Sequence, residues 1–570
     1  MTTARQAVIV AGALALYVGL TVSSLRQKSA TFDEGAHLPA GYTYWALGDY
    51  RLNPEHPPLV KLLAAAPLAL LPITMREDDP TWSARRQWEL GRRFLYHWND
   101  ADRLLLYGRL PIVALGAALG LLVFVWARRL LGPTVAIVAL GLAVLSPDLL
   151  AHGGLVTTDV GIALFSFAAV VALERFRHGV TWPRVAALCA AFALACATKY
   201  SALLVVPILA VLAWVLAKHA TERLPMERRA RTAAGVVAAM AASAYLLLWA
   251  CYGFRFAASP DPAQVFDWER VQPGNRLVTA AALAARRHHL LPEALLYGFL
   301  RFFKAQETRP AFLLGEVSQT GWWYYFPVTF LVKTPIPLLV GIAAAGIAAV
   351  RRRDGDAVRA WFLWLPPLLY MAMAMTRSLN IGHRHLLPIY PYLFILAARS
   401  AEAGLRDPRR GVRIGSGALL AWYAAGALLQ HPHHLAYFNA IAGGPRRGYH
   451  WLVDSNLDWG QDLKGLKAWM DRRGVPEIKL SYFGTADPGY YGIRCERLPG
   501  HLRPARLASQ IHAGDWVAIS ATNLQAVYLD GEARRLMERF RALGPEDQVG
   551  YSILLYRAPA DYAVPQEPLY

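Results

Sequence analysis

Charge is scarce in this sequence. Only 17% of its 570 residues are Asp, Glu, Lys or Arg, against about 25% in an ordinary soluble domain. With 55% hydrophobic residues, including 18 Trp and 26 Tyr, the composition argues against a soluble globule and for a membrane protein. Acids are scarcer than bases, 40 against 59, but the net charge of +19 does not point to nucleic acid. The arginines sit in short loops between apolar stretches, as the positive-inside pattern requires, and form no base-reading face. Cysteine is nearly absent: Cys189, Cys196, Cys251 and Cys495 include no CxxC pair, so neither a disulfide framework nor a zinc site is indicated. Glycine-rich nucleotide-binding signatures, internal repeats and low-complexity linkers are lacking as well.

What is present is a succession of apolar stretches long enough to cross a bilayer. They fall at 7–25, 104–127, 133–150, 159–173, 183–198, 200–217, 232–251, 325–350, 360–376, 385–399 and 414–430, about eleven spans. No A-x-A site closely follows the first, so an uncleaved span is expected there. Five basic loops (128–129, 174–179, 218–231, 351–359 and 406–413) share one side if the N-terminus is cytoplasmic. The segment after the first span, the loop at 146–159, a long loop at 253–323 and everything after 431 then lie on the opposite, extracytoplasmic side. In the long loop, 285–305 mixes Arg and His with Phe and Leu and predicts a helix lying in the interface. Residues 61–73 are apolar but too short to span and predict a second one. After 431, "EIKLSYFG", "WVAISATN" and "YSILLY" read as buried strands, with amphipathic helices "DLKGLKAWMDRR" and "GEARRLMERFRAL" between them. The expected architecture is a polytopic α-helical membrane domain, 1–430, followed by an extracytoplasmic α/β domain, 431–570.

The few polar clusters converge on one face. Asp33 and Glu34 stand side by side just past the first span, followed by His37; a solvated loop is the plain reading of a lone acid there, but an ionisable pair beside low dielectric marks a functional candidate. Glu55-His56 precede Pro57-Pro58, which could be helix punctuation. Asp159 opens a span, where a first-turn acid is ordinary. Lys199 is the only charge between Val185 and Ala217; it either snorkels or holds an anionic head group. His383, Arg384 and His385 present the same alternatives. The stretch "DSNLDWGQDLKG" (454–465) is not a calcium loop, because Trp459 stands where the turn glycine belongs and Gly465 where the bidentate Glu belongs. A helix cap by Asp458 or a neighbour is expected.

In this order the motifs resemble those of the C-fold glycosyltransferases of family 39 type, the group of the protein O-mannosyltransferases and the lipid A aminoarabinose transferase. The resemblance covers roughly residues 1–430. It rests on "TFDEGAHL" with Asp33-Glu34, on Glu55-His56-Pro57-Pro58-Leu59 where the family has E-K-P-P-L, and on Asp159 in "TTDVG". It rests further on Ala197-Thr198-Lys199-Tyr200 for the L-T-K-G turn, on "GWWYYFPVTFLVKTPIPLL", and on R-x-L-L-P near Arg384. His56 departs from the family's Lys. The resemblance implies an inner-membrane, multi-pass enzyme that moves a sugar from a polyprenyl-phosphate carrier to a hydroxyl-bearing envelope acceptor, whether protein, lipid or glycan. It implies catalytic Asp33, with Glu34 as the alternative base, and Asp159. Carrier phosphate would be held by Lys199, Arg384 and, more weakly, the mostly neutral His56; Glu55, Tyr324, Tyr325 and His383 would line the site. One base and no second carboxylate nucleophile suit inversion. No ligand spacing compels a metal, and a divalent ion is left open. The rival class is a transporter or receptor with an external ligand-recognition domain, which would carry its charges at mid-bilayer in broken helices. Here the spans are almost free of charge.

Overall fold

The computed structural model describes residues 3–219, 225–351, 356–502 and 507–566. Among these, six helices are long and apolar enough to span a membrane, or seven if one bent pair counts as one span. The protein is a multi-pass membrane protein. The longest helix, Ala101–Leu131, begins where the Asp100 carboxylate accepts the Arg103 N–H and ends at Gly132, φ 91°, a backbone angle that glycine adopts without strain. Shorter apolar helices, Pro133–Val144, Asp159–Glu174, Trp182–Thr198 and Tyr390–Leu405, pack among the long ones.

Several stretches expected to be single straight helices are interrupted, each for a local reason. The 325–350 stretch is two helices, Tyr325–Lys333 and Ile336–Arg351, bent by 114°; Pro335 has no N–H to continue the first. The 133–150 stretch stops at Val144 and restarts as Pro147–His152, capped by the Ser146 hydroxyl. The interfacial helix expected at 285–305 is likewise two helices, Arg276–Arg287 and Glu293–Lys304. They part at left-handed His289 and at Pro292. The 61–73 stretch forms Leu59–Ala65 and a 3-10 turn to Leu70.

The basic loops gather at one end of the bundle. Arg129 pairs with Glu174 at 3.3 Å, Arg177 with Asp356 at 3.0 Å, and Arg406 donates to the Thr134 hydroxyl at 3.3 Å. The remaining basic loop, 218–231, lies partly outside the described residues.

The tail carries a five-stranded sheet of β1 (Ile478–Ser481), β2 (Cys495–Arg497), β3 (Trp516–Ser520), β4 (Asp547–Val549) and β5 (Ile553–Arg557), in the order β2-β1-β3-β5-β4. β1 runs parallel to β2 and β3; β5 runs antiparallel to β3 and β4. Alternate side chains go to opposite faces. Val517, Ile519, Leu554 and Tyr556 pack with Met537 and Phe540 of the helix Gly531–Leu543. Leu480, Ala518 and Leu555 pack with Leu466 and Trp469 of the helix Leu463–Arg473. Both cores run without a break into residues of the helical bundle, so the sheet sits directly on it.

Candidate active site

Three breaks in regular structure bring the charged groups together. Asp33 is the residue before the helix Glu34–Ala46, and its carboxylate makes no capping bond to that helix. Lys199 is extended (φ −156°, ψ 142°) between the helix Trp182–Thr198 and the 3-10 turn Tyr200–Leu204. Arg384 lies in the 3-10 turn His383–Ile389. Asp159, in the first turn of Asp159–Glu174, stands between the two cations. Lys199 Nζ donates to Asp159 Oδ1 at 2.6 Å, while Arg384 Nη1 donates to Asp159 Oδ2 at 3.2 Å and to Asp33 Oδ2 at 2.9 Å. The Arg384 guanidinium lies over the Trp459 ring, 4.2 Å from its centroid. Asp159 is shut off from solvent, whereas the Asp33 side chain remains 23% exposed.

These groups border a cavity of about 570 Å³. Asp33, Glu55, His56, Lys199 and Arg384 line it. One part of its wall is apolar, from Leu203, Leu204, Phe302, Phe326 and Ala374; another comes from the tail, through His501 and Tyr528. Glu34 is not in the wall. Its carboxylate receives Nε and Nη2 of Arg109 at 2.8 and 2.7 Å, the Thr31 N–H and hydroxyl at 2.8 and 2.9 Å, and the Val156 N–H at 3.1 Å. Burial would push its carboxyl up, but Arg109 and the two backbone donors hold it below its ordinary value. The two adjacent acids therefore face different surroundings: Glu34 is saturated, Asp33 is open.

His383, Tyr324 and Tyr325 stand apart from the cavity wall. His383 Nε2 meets the Tyr390 hydroxyl at 2.6 Å and its N–H donates to Asn456 Oδ1 at 2.8 Å. The Tyr325 hydroxyl accepts from Asn456 Nδ2 at 3.0 Å, and Tyr324 packs against the core. Glu55 lines the cavity paired with Arg301 at 2.7 Å, with Gln87 donating at 3.2 Å. His56 is half-buried, and desolvation together with Lys199 and Lys61 pushes its pKa well below the ordinary imidazole value. It is neutral, with Nδ1 unpartnered.

His385, grouped with Arg384 in the sequence, also lines the cavity; sequence reasoning missed Arg301 and Arg309 in its wall and the tail residues His501, Tyr528 and Trp459. Arg301 lies in Glu293–Lys304, the second half of the stretch expected to lie in the interface. Arg309 and the tail groups reach the site only through tertiary folding, and no local pattern marks them. The 454–465 segment does cap a helix, but a distant one: Asp458 Oδ2 accepts the Thr522 N–H at 2.8 Å at the start of Ala521–Leu524. Among the described residues no cluster of three or more His, Cys, Asp or Glu is arranged to hold a metal ion.

Residues 105–249 match the model of the family described as dolichyl-phosphate-mannose-protein mannosyltransferase; the segment holds Asp159 and Lys199 but neither Asp33 nor Arg384. The chain is similar to the crystal structure of ArnT from Cupriavidus metallidurans bound to undecaprenyl phosphate, at 13% identity over 97% of this chain and 98% of that chain, TM-score 0.47. It is also similar to the oligosaccharyltransferase of Archaeoglobus fulgidus in its apo form, at 12% identity over 75% of this chain and 54% of that chain, TM-score 0.45. With scores below 0.5, neither likeness carries the assignment. A comparison with curated proteins finds no match. The family likeness extends over residues 105–249, fewer than half of the 570.

Proposed function

We propose that the cavity is where a sugar leaves a polyprenyl-phosphate carrier for a hydroxyl-bearing acceptor, with inversion at the anomeric carbon. The observation that carries this reading is an open carboxylate, Asp33, held 2.9 Å from the guanidinium that also pairs with Asp159, at the edge of a part-apolar, cation-lined cavity. Asp33 takes the acceptor hydroxyl's proton as that oxygen attacks the anomeric carbon. The bond from that carbon to the phosphate oxygen breaks, and the phosphate leaves with the electron pair. Arg384 and Lys199 meet the charge that develops there, in a site that largely excludes water, where fixed cations act most strongly. Asp159, bonded to both, sets their spacing. His56 contributes a neutral hydrogen-bonding edge, and the Glu55–Arg301 pair closes the wall near it. Glu34 is structural, locking the start of its helix to Arg109. The carrier's isoprenoid chain lies along Leu203, Leu204, Phe302 and Phe326, whose apolar surface suits it.

The basic loops at the far end of the bundle support an inner-membrane orientation with this site outside the cytoplasm. The region 431–570 then forms an extracytoplasmic α/β domain over the cavity, and His501 and Tyr528 give it a part in choosing the acceptor. The test is direct. Purified protein in liposomes with labelled polyprenyl-phosphate sugar should release free polyprenyl phosphate and pass the label, inverted, to an envelope fraction. No release of carrier with any such donor would refute the proposal.

A further inference from the structure

The pairing of Asp33 with Arg384 joins two chain segments 351 residues apart; Asp33 precedes its helix and Arg384 sits in a 3-10 turn. What holds both is one short stretch of the tail, 454–462. On the Asp33 side, the Phe32 N–H donates to the Trp459 carbonyl at 2.7 Å and the Ser29 N–H to the Gln461 carbonyl at 2.9 Å. The Ser29 hydroxyl donates to the Gly460 carbonyl at 3.0 Å. On the Arg384 side, the His383 N–H donates to Asn456 Oδ1 at 2.8 Å, and the Ser455 hydroxyl donates to the Ile381 carbonyl at 2.8 Å. The residues immediately preceding the base and the guanidinium are thus bonded to positions three apart in one stretch. Trp459 does more than bridge backbones: its ring, 2% exposed, forms the floor on which the guanidinium lies at 4.2 Å. An arginine whose Nε has no hydrogen-bond partner is set in orientation by that face together with its two carboxylates.

We infer that Trp459 is a positioning residue of the transfer reaction: its indole face and its carbonyl hold Arg384 and Asp33 in register, so that the membrane site is assembled only when this stretch of the tail is docked. The inference rests on the reading of Asp33 and Arg384 as base and phosphate cation given above. It moves the tail from acceptor choice alone to construction of the site.

The experiment is polyprenyl-phosphate binding and turnover by the full chain in nanodiscs, with thermal unfolding recorded alongside. Trp459→Met keeps an apolar side chain without a π face and should weaken binding about 10-fold, the order expected for a desolvated cation–π contact. Trp459→Phe, which restores a face, should recover most of that loss. In the Arg384→Lys background, Trp459→Met should cost less further affinity, because a lysine keeps only the point-charge part of the contact and has no guanidinium plane to stack. Should Trp459→Met not fold, Asn456→Ala removes the bond to the His383 N–H with the indole intact and should weaken binding several-fold. Two results overturn the inference: Met and Phe variants equally impaired, or an undiminished effect of Trp459→Met in the Arg384→Lys background. If Arg384→Lys and Asp33→Asn themselves leave binding and turnover at the parent's level, the underlying assignment of the site fails. If those variants fail while Trp459→Met and Asn456→Ala bind like the parent, only the inference about Trp459 falls.

Discussion

Asp33 and Glu34 are neighbours of the same chemical type, and removing the charge from each should have opposite consequences. Asp33→Asn deletes the base but leaves Arg384 paired with Asp159 at 3.2 Å. The Asp33 side chain is partly open to solvent, so its ion pair contributes only about 0–1 kcal/mol to stability. Turnover should fall roughly 100-fold or more, with the melting temperature almost unchanged. Glu34→Gln keeps the shape and deletes a charge that is fully buried against Arg109. The guanidinium is left in the interior without its counter-ion, a loss on the order of 3–5 kcal/mol for a broken buried pair. The carboxylate is held in its charged form by Arg109 and the backbone donors, so this stability is present above the ordinary glutamate pKa near 4.5 and disappears as the pH falls through the lower folded value. The melting difference between parent and Glu34→Gln should therefore be full at neutral pH and narrow in acid. The assays are carrier release by labelled donor and thermal unfolding in detergent from about pH 2 to pH 8, a range that extends well below the usual carboxylate pKa. Parent-like turnover in Asp33→Asn, or a loss of stability as large as that of Glu34→Gln, would refute the division of roles.

Three further outcomes are expected. Lys199→Ala should weaken polyprenyl-phosphate binding, and Lys199→Arg should be milder because it keeps the charge; equal binding by both variants and the parent would leave Lys199 only a partner of Asp159. Asp458 is buried with Oδ1 unpartnered and its pKa pushed up to about 8 by burial, so the folded state holds a proton that the unfolded chain gives up above about 4. Asp458→Asn should therefore raise the melting temperature at pH 8 relative to the parent, with the gain fading toward about pH 4; a difference that does not vary with pH would contradict this. A reporter fused after Tyr570 should be active only outside the cytoplasm, and a cytoplasmic signal would overturn the proposed orientation.

The parts of this protein that were legible in its sequence are those that depend on local composition. Apolar length marks the spans, and short apolar runs mark β1, β3 and β5, because these strands are buried on both faces between the helices Leu463–Arg473 and Gly531–Leu543. The amphipathic helix Gly531–Leu543 has the bounds its pattern predicted. Charges isolated in apolar surroundings marked Asp33, Asp159, Lys199 and Arg384, since low dielectric makes an unpaired charge costly and so makes any charge there informative. Partners were not legible. Nothing in "TFDEGAHL" says that Glu34 turns to Arg109, 75 positions away, and Asp33 to Arg384, 351 positions away. The helix breaks were only half visible: Pro335 signals a bend but not its 114° angle, which depends on what receives the freed groups. Thr334 Oγ1 lies 2.7 Å from the Tyr390 hydroxyl there, and Lys333 donates to the carbonyls of Leu435 and Asn456 at 2.8 and 2.6 Å. Asn456 thus receives one cation at its carbonyl and orders Arg384 through the His383 N–H at its side chain. The bend in the bundle and the turn that carries Arg384 share one hydrogen-bonding residue of the tail. On the proposed reading of the site, a segment that has neither a catalytic group nor a ligand spacing controls the chemistry, because it supplies the hydrogen bonds that interrupted helices need.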